Sequence, residues 1–245
     1  MFPLNVVWFG LPTTDRALMA TKDQTFVVIA AYNEAAMIAG VVSDLRSAGY
    51  RVVVVDDGSQ DATGQIAKAA GATVIQHPFN LGQGAALQSG IDGALRKGAE
   101  VIVTFDADGQ HGATDIARLV GALAEDNADF ALGSRFLEGS SNVPPLRRLL
   151  LKAATAFTRA TTRLRLTDSH NGLRAMTRQG ASAIRLRQNR MAHASELLSQ
   201  IGTSGLHYVE RPVTIHYSAY SIAKGQRTSD SFLILLDLFA RALYR

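Results

Sequence analysis

Cysteine is absent from the 245 residues of the chain. The absence excludes disulfide bonds, zinc sites built on thiolates and thiol nucleophiles together. It fits a reducing compartment, so we expect a cytoplasmic protein. Peripheral attachment to the inner face of the membrane is compatible with that expectation.

Long apolar runs are also missing, because no stretch approaches the roughly 18 uninterrupted apolar residues that span a bilayer. The nearest, "SFLILLDLFARALYR", is short and carries Asp237. We predict that residues 229–245 form an amphipathic helix that docks on the core or on a partner, or else lies on a membrane surface. The N-terminal "MFPLNVVWFGLPTTDR" lacks a leading basic cluster, so we interpret it as a tail or first turn rather than a signal peptide.

Acidic residues are scarce in one long segment, although the net charge is only +4. Between Arg147 and Arg190 the chain has eleven Lys and Arg against a single acid, Asp168. Solvated surface charge normally mixes signs, so the segment predicts an anionic partner. No nucleic-acid motif or interleaved aromatics accompany these cations, and we expect no nucleic-acid binding.

Strand-like and helical segments alternate through the first half of the chain. "TFVVIA", "RVVVV", "TVIQ", "EVIVTF" and "ADFALGS" have the character of buried strands, and helical spacing separates most of them. The alternation predicts an α/β fold with a mostly parallel sheet flanked by helices. We treat residues 1–245 as one domain, with a nucleotide-binding half at about 24–136 and a substrate-facing half at about 137–228. "GLHYVERPVTIHY" contains a Pro and predicts an edge strand.

Polar residues gather where four predicted strands end. The four pairs are Asn33 with Glu34, Asp56 with Asp57, Asp106 with Asp108, and Ser134 with Arg135. Any one pair alone fits a turn or a helix N-cap. Ligands of open α/β sheets bind beyond the carboxyl ends of the strands, so the convergence of four pairs predicts a binding site there.

Two carboxylates in "FDADGQH" suggest a metal at this site. Carboxylate and amide oxygens suit Mg²⁺ or Mn²⁺. Asp106 and Asp108 alone give an incomplete coordination shell, which leaves places for the oxygens of a diphosphate. A metal held in this way would offset the charge of a leaving diphosphate.

Several common motifs are missing. "NLGQGAALQSG" has Gly82 and Gly84, but Leu87 stands where a dinucleotide fingerprint needs its third Gly. There is no P-loop motif and no GxSxG nucleophile elbow. The six His residues show no metal-type spacing, and only His111, beside the paired acids, stays a candidate for a functional role.

Taken in order, "AAYNE", "VVDDGSQDAT", "NLGQGAA", "FDADGQH", "GSRF" and "DSHNGLRA" resemble the family 2 glycosyltransferases. The resemblance is greatest to the branch that contains dolichol-phosphate mannose synthases and polyprenyl-phosphate glucosyltransferases. It implies a GT-A fold, a nucleotide-diphosphate sugar such as a UDP- or GDP-linked hexose, a divalent metal, and inversion at the anomeric carbon. It also implies a polyprenyl or dolichyl phosphate as the acceptor.

The resemblance also implies roles for individual residues. The nucleotide-sugar set would be Ala30, Tyr32, Glu34, Val54, Asp56, Asp57, Asp106, Ala107, Asp108, Arg135 and Lys224. Ala30 stands where the family usually has Pro. Asp106, Asp108 and Gln110 would bind the metal, and Asp106, Asp108, Asp168 and Arg135 would be the catalytic group. Arg174 would lie near the sugar or the acceptor.

The acceptor decides whether a general base is needed. A lipid phosphate is ionised near neutral pH and needs none, whereas a sugar hydroxyl requires one. Asp168, Glu196 and His193 are the candidates for that base. Ser218 stands where dolichol-phosphate mannose synthases have an Arg six residues before a Lys, so one phosphate-binding cation has to come from elsewhere, such as Arg227 or the basic segment. We favour the lipid phosphate because the basic segment suits an anionic acceptor.

Three other functions share parts of the pattern. A haloacid-dehalogenase-type phosphatase also has a strand that ends in DxDG, but its acidic pair lies downstream, whereas Asp56 and Asp57 lie upstream. A nucleotidyltransferase carries a basic, Gly-rich first loop, where this chain has "AAYNE". A nucleotide-sugar sensor without catalysis would bind the donor and show no turnover, and the intact acid pair argues against it.

Overall fold

The computed structural model describes residues 22–137, 145–162, 164–169, 171–188 and 192–215. Ser218, Lys224, Arg227 and the predicted helix at 229–245 lie outside the described residues. The strands are β1 (Thr25–Ala31), β2 (Arg51–Asp56), β3 (Thr73–Gln76), β4 (Val101–Asp106), β5 (Phe130–Ser134), β6 (Arg174–Thr177) and β7 (Tyr208–Pro212). The helices are α1 (Ile38–Ser47), α2 (Thr63–Ala69), α3 (Gln83–Arg96), α4 (Ala113–Glu125), α5 (Pro145–Thr162), α6 (Arg178–Ala183) and α7 (Ala192–Ser204).

The strands form one sheet in the order β3-β2-β1-β4-β6-β5-β7. All the pairings are parallel except those of β6, which runs antiparallel to both β4 and β5. The predicted mostly parallel sheet is therefore confirmed, and so is the edge position of the late strand, because β7 ends the sheet. The sequence pattern did not reveal β6, whose four residues are too few to show a period.

Alternate residues of β1 enter two apolar layers, as the period of two in a strand requires. Val27 and Ile29 pack with residues of α1, α2 and α4 on one face. Phe26 and Val28 pack with residues of α3, α6 and α7 on the other. α5 packs against α7. Helices on both faces explain why the central strands are almost continuously apolar.

The strand register decides which side chains share the edge where the parallel strands end. Ala31 at the end of β1 is opposite Asp56 of β2, and Ala30 is opposite Asp106 of β4. Because neighbouring strands lie about 4.8 Å apart, the two Asp residues flank β1 at a backbone separation of about 10 Å. β6 runs antiparallel, so its first residue, Arg174, reaches the same edge and pairs with Thr104.

Candidate active site

The loops that follow β1 and β2 are joined by hydrogen bonds between side chains and backbone. Asn33 adopts a positive φ of 54° and accepts a hydrogen bond from the Gln60 amide at 2.8 Å. The Ser59 hydroxyl accepts one from the Asn33 amide at 3.0 Å, and the Thr63 hydroxyl accepts one from the Glu34 amide at 2.8 Å. The motifs "YNE" and "DDGSQDAT" therefore form one structural unit beside the end of β1.

Asp56 lies under this unit and is 2% exposed. Its Oδ1 accepts a hydrogen bond from the Ser59 amide at 3.0 Å. A methyl group at Gly64 would lie 2.5 Å from Asp56 Oδ2, so the carboxylate packs directly on the start of α2. Val54, two residues earlier, is fully buried in the apolar core. Its side chain packs in that core and supports the strand.

Asp57 anchors the Gly-rich loop. Its carboxylate accepts hydrogen bonds from the amides of Leu81 and Gly82 at 2.9 and 2.8 Å, and it contacts His77 Nδ1 at 2.7 Å. His77 Nε2 in turn contacts the Ser89 hydroxyl on α3 at 2.9 Å. With three such partners and 3% exposure, Asp57 holds the loop in place and offers little carboxylate surface to a ligand.

Asp106 and Asp108 lie at the mouth of the site. The side chain of Asp106 is 36% exposed, and Ala107 between the two acids is buried. Gly109 takes a φ of +70°, a conformation that favours glycine, and the turn brings the Gln110 amide to 3.1 Å from Asp108 Oδ1. Gln110 itself is half-buried.

Burial and nearby negative charge raise the pKa of both carboxyl groups. The pKa of Asp108 is raised to about 6 by desolvation and, to a smaller extent, by the negative charges of Asp106 and Glu34, while the hydrogen bond from the Gln110 amide and the His111 ring act in the opposite direction. Desolvation also raises the pKa of Asp106, while Arg174 and Arg135 act in the opposite direction. Glu34, from the loop after β1, thus shares one electrostatic site with the acids after β4. Such a negative cluster favours a bound cation.

Two buried arginines face these acids. Arg174 is 4% exposed, and the charges of Asp106 and Asp168 offset the effect of burial, which lowers its pKa. Arg135 is 6% exposed and donates from Nε to Asp168 Oδ2 at 2.6 Å. The Asp168 side chain has no exposed surface. The site therefore carries acids at its mouth and cations directly behind them.

Glu210 of β7 holds the loop that carries Asp168. Both its carboxylate oxygens lie 2.9 Å from the Thr167 amide, and Oε1 also accepts from the Asp168 amide at 3.3 Å. Burial raises the pKa of Glu210, and hydrogen bonds from the Thr167 and Asp168 amides oppose that effect. A charged residue inside "YVERP" was the sequence signal for this contact, and sequence reasoning missed it.

We expect Glu210→Ala to lower the free energy of unfolding by about 2 kcal/mol, because it leaves the loop amides without their acceptor. Any activity that depends on Asp168 should weaken as well, since Asp168 would no longer be fixed beside Arg135. Chemical denaturation followed by circular dichroism measures the first effect. Glu125→Ala is the matched control, because the Glu125 side chain is 73% exposed and should matter little. Equal losses in the two variants would contradict the role given to Glu210.

Two buried polar atoms near Asp106 have no partner among the described residues: His111 Nδ1 and Asn171 Nδ2. His111 Nε2 lies 3.9 Å from Asp106 Oδ2, and Asn171 precedes Gly172, which packs on the Asp106 carboxylate. Desolvation lowers the pKa of His111 to about 4, so the ring is neutral at pH 7. Unpaired buried polar atoms are rare and mark places where a ligand or water completes the bonding.

The three candidate bases are engaged in other contacts. Asp168 is paired with Arg135, as described above. Glu196 accepts hydrogen bonds from the amides of Arg187 and Gln188 at 2.9 and 2.8 Å. His193 is 5% exposed and packs against Gly84 at the start of α3.

The other predicted residues are distributed around the same edge. Tyr32 is 39% exposed, Glu34 is half-buried, and Ala30 lies between Val55 and Asp106 of the neighbouring strands. Within the described ranges, no group of three or more His, Asp or Glu side chains is arranged to hold a metal ion. The predicted metal set has only two carboxylates, so it needs ligands from outside the protein. None of the helices in the described part of the chain has the length and apolar character that crossing a bilayer requires.

Comparison with known families and proteins identifies relatives along most of the chain. The family described as Glycosyl transferase family 2 matches residues 26–185. The UDP-N-acetylglucosamine–dolichyl-phosphate N-acetylglucosaminyltransferase of Methanococcus voltae is 31% identical over 87% of this chain and 94% of that protein. The polyprenol monophosphomannose synthase of Mycolicibacterium smegmatis is 30% identical over 86% of this chain and 84% of that protein.

Solved structures with a similar fold include glucosyl-3-phosphoglycerate synthase from Mycobacterium tuberculosis. Its complex with phosphoglyceric acid superposes with a TM-score of 0.65 at 19% identity, over 89% of this chain and 79% of that one. Its complex with Mn²⁺, UDP and glucosyl-3-phosphoglycerate gives a TM-score of 0.62 at 20% identity, over 87% of this chain and 79% of that one. These likenesses confirm the predicted GT-A fold.

Proposed function

The chain belongs to glycosyl transferase family 2, and we propose that it moves a hexose from a UDP- or GDP-linked sugar to a polyprenyl or dolichyl phosphate. The proposed reaction inverts the configuration at the anomeric carbon and uses Mg²⁺ or Mn²⁺ as cofactor. The enzyme class follows from the family. The donor, the metal, the stereochemistry and the acceptor are the proposal.

A nucleotide-sugar donor fits the arrangement of acidic and basic side chains at the strand ends. Tyr32 and the joined loops after β1 and β2 offer a surface for the nucleoside, with Asp56 beneath it. Arg174 and Arg135 supply positive charge close to the place where the diphosphate would lie. Preorganised charge of this kind stabilises a leaving group at no further cost of rearrangement.

The residues at the mouth fit a divalent metal. Asp106, Asp108 and Gln110 offer carboxylate and amide oxygens, which are hard ligands suited to Mg²⁺ and Mn²⁺. Burial and nearby negative charge raise the pKa of both acids, and a cation bound to them would favour their charged forms. A bound metal would supply charge compensation for the departing nucleoside diphosphate.

One observation carries the choice of a phosphate acceptor: Asp168, Glu196 and His193, the candidate bases, are each held in structural contacts. A phosphate oxygen attacks without giving up a proton, so the protein has only to align it behind the anomeric carbon. The names of the two relatives, which include dolichyl phosphate and polyprenol, support the same acceptor.

A sugar hydroxyl in cell-envelope polysaccharide is the second candidate acceptor. It is favoured by the pKa of Asp108, because a carboxyl that titrates at about 6 suits a general base near neutral pH. A cation beside Asp108 would lower that pKa and remove the advantage. We therefore place this acceptor second.

The test is a transfer assay with radiolabelled UDP- and GDP-sugars, Mn²⁺ and either polyprenyl phosphate or a free oligosaccharide. We expect metal-dependent transfer to the lipid phosphate and, in thermal shift, stabilisation by one donor of a few kcal/mol at saturation. Preferential transfer to the oligosaccharide would contradict the lipid acceptor. Donor binding without any turnover would favour a sensor, and release of phosphate from an aryl phosphate would favour a phosphatase.

A further inference from the structure

Helix α5 presents an outward face that is basic and apolar. No acidic residue occurs anywhere in its sequence, PLRRLLLKAATAFTRATT. Its exposed residues include three cations, a leucine and three alanines: Arg148, Leu149, Lys152, Ala153, Ala156, Arg159 and Ala160. Leu149 is 65% exposed, and together with the three exposed alanines it forms apolar surface that is continuous along the helix.

The helical period sorts these residues into two neighbouring strips. At about 100° per residue, Arg148, Lys152 and Arg159 fall within an arc of about 40°. Leu149 and the three alanines fall within the adjoining arc of about 60°. A basic strip beside a small apolar strip is the pattern of a helix that lies in a membrane interface.

The inner face of α5 connects this surface to the active site. Leu151, Ala154, Thr155 and Thr158 are buried. The Thr155 hydroxyl lies 3.2 Å from the Ser169 hydroxyl, and Ser169 follows Asp168 in the chain. The surface that α5 presents to solvent is therefore one helix thickness from the Asp168–Arg135 pair.

We propose that the exposed face of α5 rests on the surface of an anionic phospholipid bilayer. Anionic headgroups complement the three cations, and Leu149 and the alanines fit the boundary between headgroups and acyl chains. A second copy of the chain is a poorer occupant, because a two-fold contact through this face would bring six cations together. The purpose of this membrane contact rests on the proposed function, since a lipid-phosphate acceptor lies in a bilayer surface. The membrane binding itself needs neither donor nor turnover.

The first test removes the positive charge of this face from the 245-residue chain. The variant Arg148→Gln/Lys152→Gln/Arg159→Gln should lose about a hundredfold in affinity for phosphatidylcholine vesicles that contain phosphatidylglycerol, since each cation contributes about a factor of five. Lys68→Gln/Arg96→Gln/Lys97→Gln is the matched control. These residues are also exposed, lie at the ends of α2 and α3 away from the site, and leave the same net charge of 4 − 3 = +1.

The second test reports contact directly. Trp8 is the single tryptophan of the chain, so Ala156→Trp in a Trp8→Phe background places one indole at the centre of the exposed face. Its fluorescence should shift to shorter wavelength on addition of the same vesicles. Ala69→Trp on the exposed side of α2 is the control and should show no shift.

Equal losses in the two charge variants, unchanged vesicle binding in the α5 variant, or an indole at position 156 that shows no shift would each overturn the proposal. Vesicle binding through α5 without transfer to polyprenyl phosphate would uphold it while rejecting the acceptor proposed above. Transfer to a water-soluble short-chain polyprenyl phosphate by a protein that does not bind vesicles would uphold the acceptor and reject the membrane contact.

Discussion

Asp108→Asn is expected to reduce sugar transfer by about a hundredfold to a thousandfold, the loss that follows removal of one group that stabilises developing charge. Asn keeps the size of the side chain and can still accept the hydrogen bond from the Gln110 amide. The substitution removes one negative charge from the proposed metal site. Turnover at saturating donor should therefore fall, and a higher Mn²⁺ concentration should restore only part of it.

The same variant should stabilise the metal-free protein, and the pH dependence of that effect identifies its cause. The pKa of Asp108 is raised in the folded chain to about 6, so the folded chain holds the proton more tightly than the unfolded chain does. The native protein therefore loses stability as the pH rises through that value. The asparagine variant has no such loss. Its melting temperature should match that of the native protein near pH 4 and exceed it above pH 7. The change in pKa from the ordinary value of about 4 to about 6 is worth up to about 3 kcal/mol, and solvent screening of this half-buried group should leave about 1 kcal/mol, or about 2–4 °C for a chain of this size.

Calorimetry across pH with a chelator present measures the stability effect, and a transfer assay measures the rate. Asp44→Asn is the control, because Asp44 is exposed on α1 and has no part in the site. A variant that loses activity and stability together would indicate that Asp108 has a structural role instead. A melting difference that does not depend on pH would remove the electrostatic explanation.

The parallel half of the sheet could be predicted because each of its strands is locally marked. β1, β2 and β4 are apolar runs with polar residues at or just beyond their carboxyl ends, and the carboxyl ends of parallel strands meet at one edge of the sheet. The presence of Asp56 and Asp106 at the same edge follows from that rule, whereas their positions on either side of β1 come from the strand order, which the sequence pattern does not give. Local pattern was sufficient for this part of the site.

The remainder depends on contacts between residues that are distant in sequence. β6 has four residues and is recognisable as a strand only through its pairing with β4 and β5. That pairing brings Arg174 to the same edge of the sheet, behind the acids at the mouth of the site. Asp56 and Asp57 are adjacent acids in one motif, yet Asp57 is engaged by the Gly-rich loop, about 25 residues later. No spacing rule separates their environments, because each is set by tertiary partners.

Gly172 illustrates the same point, and its replacement is expected to have the second large effect on activity. A methyl group at Gly172 would lie 2.2 Å from Asp106 Oδ2 and 2.7 Å from Asp106 Cγ, which is far inside van der Waals contact. The atoms that it meets belong to the end of a short side chain, so Asp106 can rotate away. Gly172→Ala should therefore cost little stability but displace one of the two proposed metal carboxylates. Misplacement of such a group by about 1 Å can cost a hundredfold in rate.

The measurement pairs the transfer rate of Gly172→Ala with its Mn²⁺ affinity and its melting temperature. Gly40→Ala on α1 is the control, since nothing lies within 4 Å of the added methyl group and alanine favours a helix. We expect Gly40→Ala to be fully active and slightly more stable than the native protein. Gly172→Ala should stay folded, bind Mn²⁺ more weakly, and transfer sugar about a hundredfold more slowly. Native Mn²⁺ affinity in that variant would mean that Asp106 does not bind the metal, because the contact with Gly172 fixes where its carboxylate can lie.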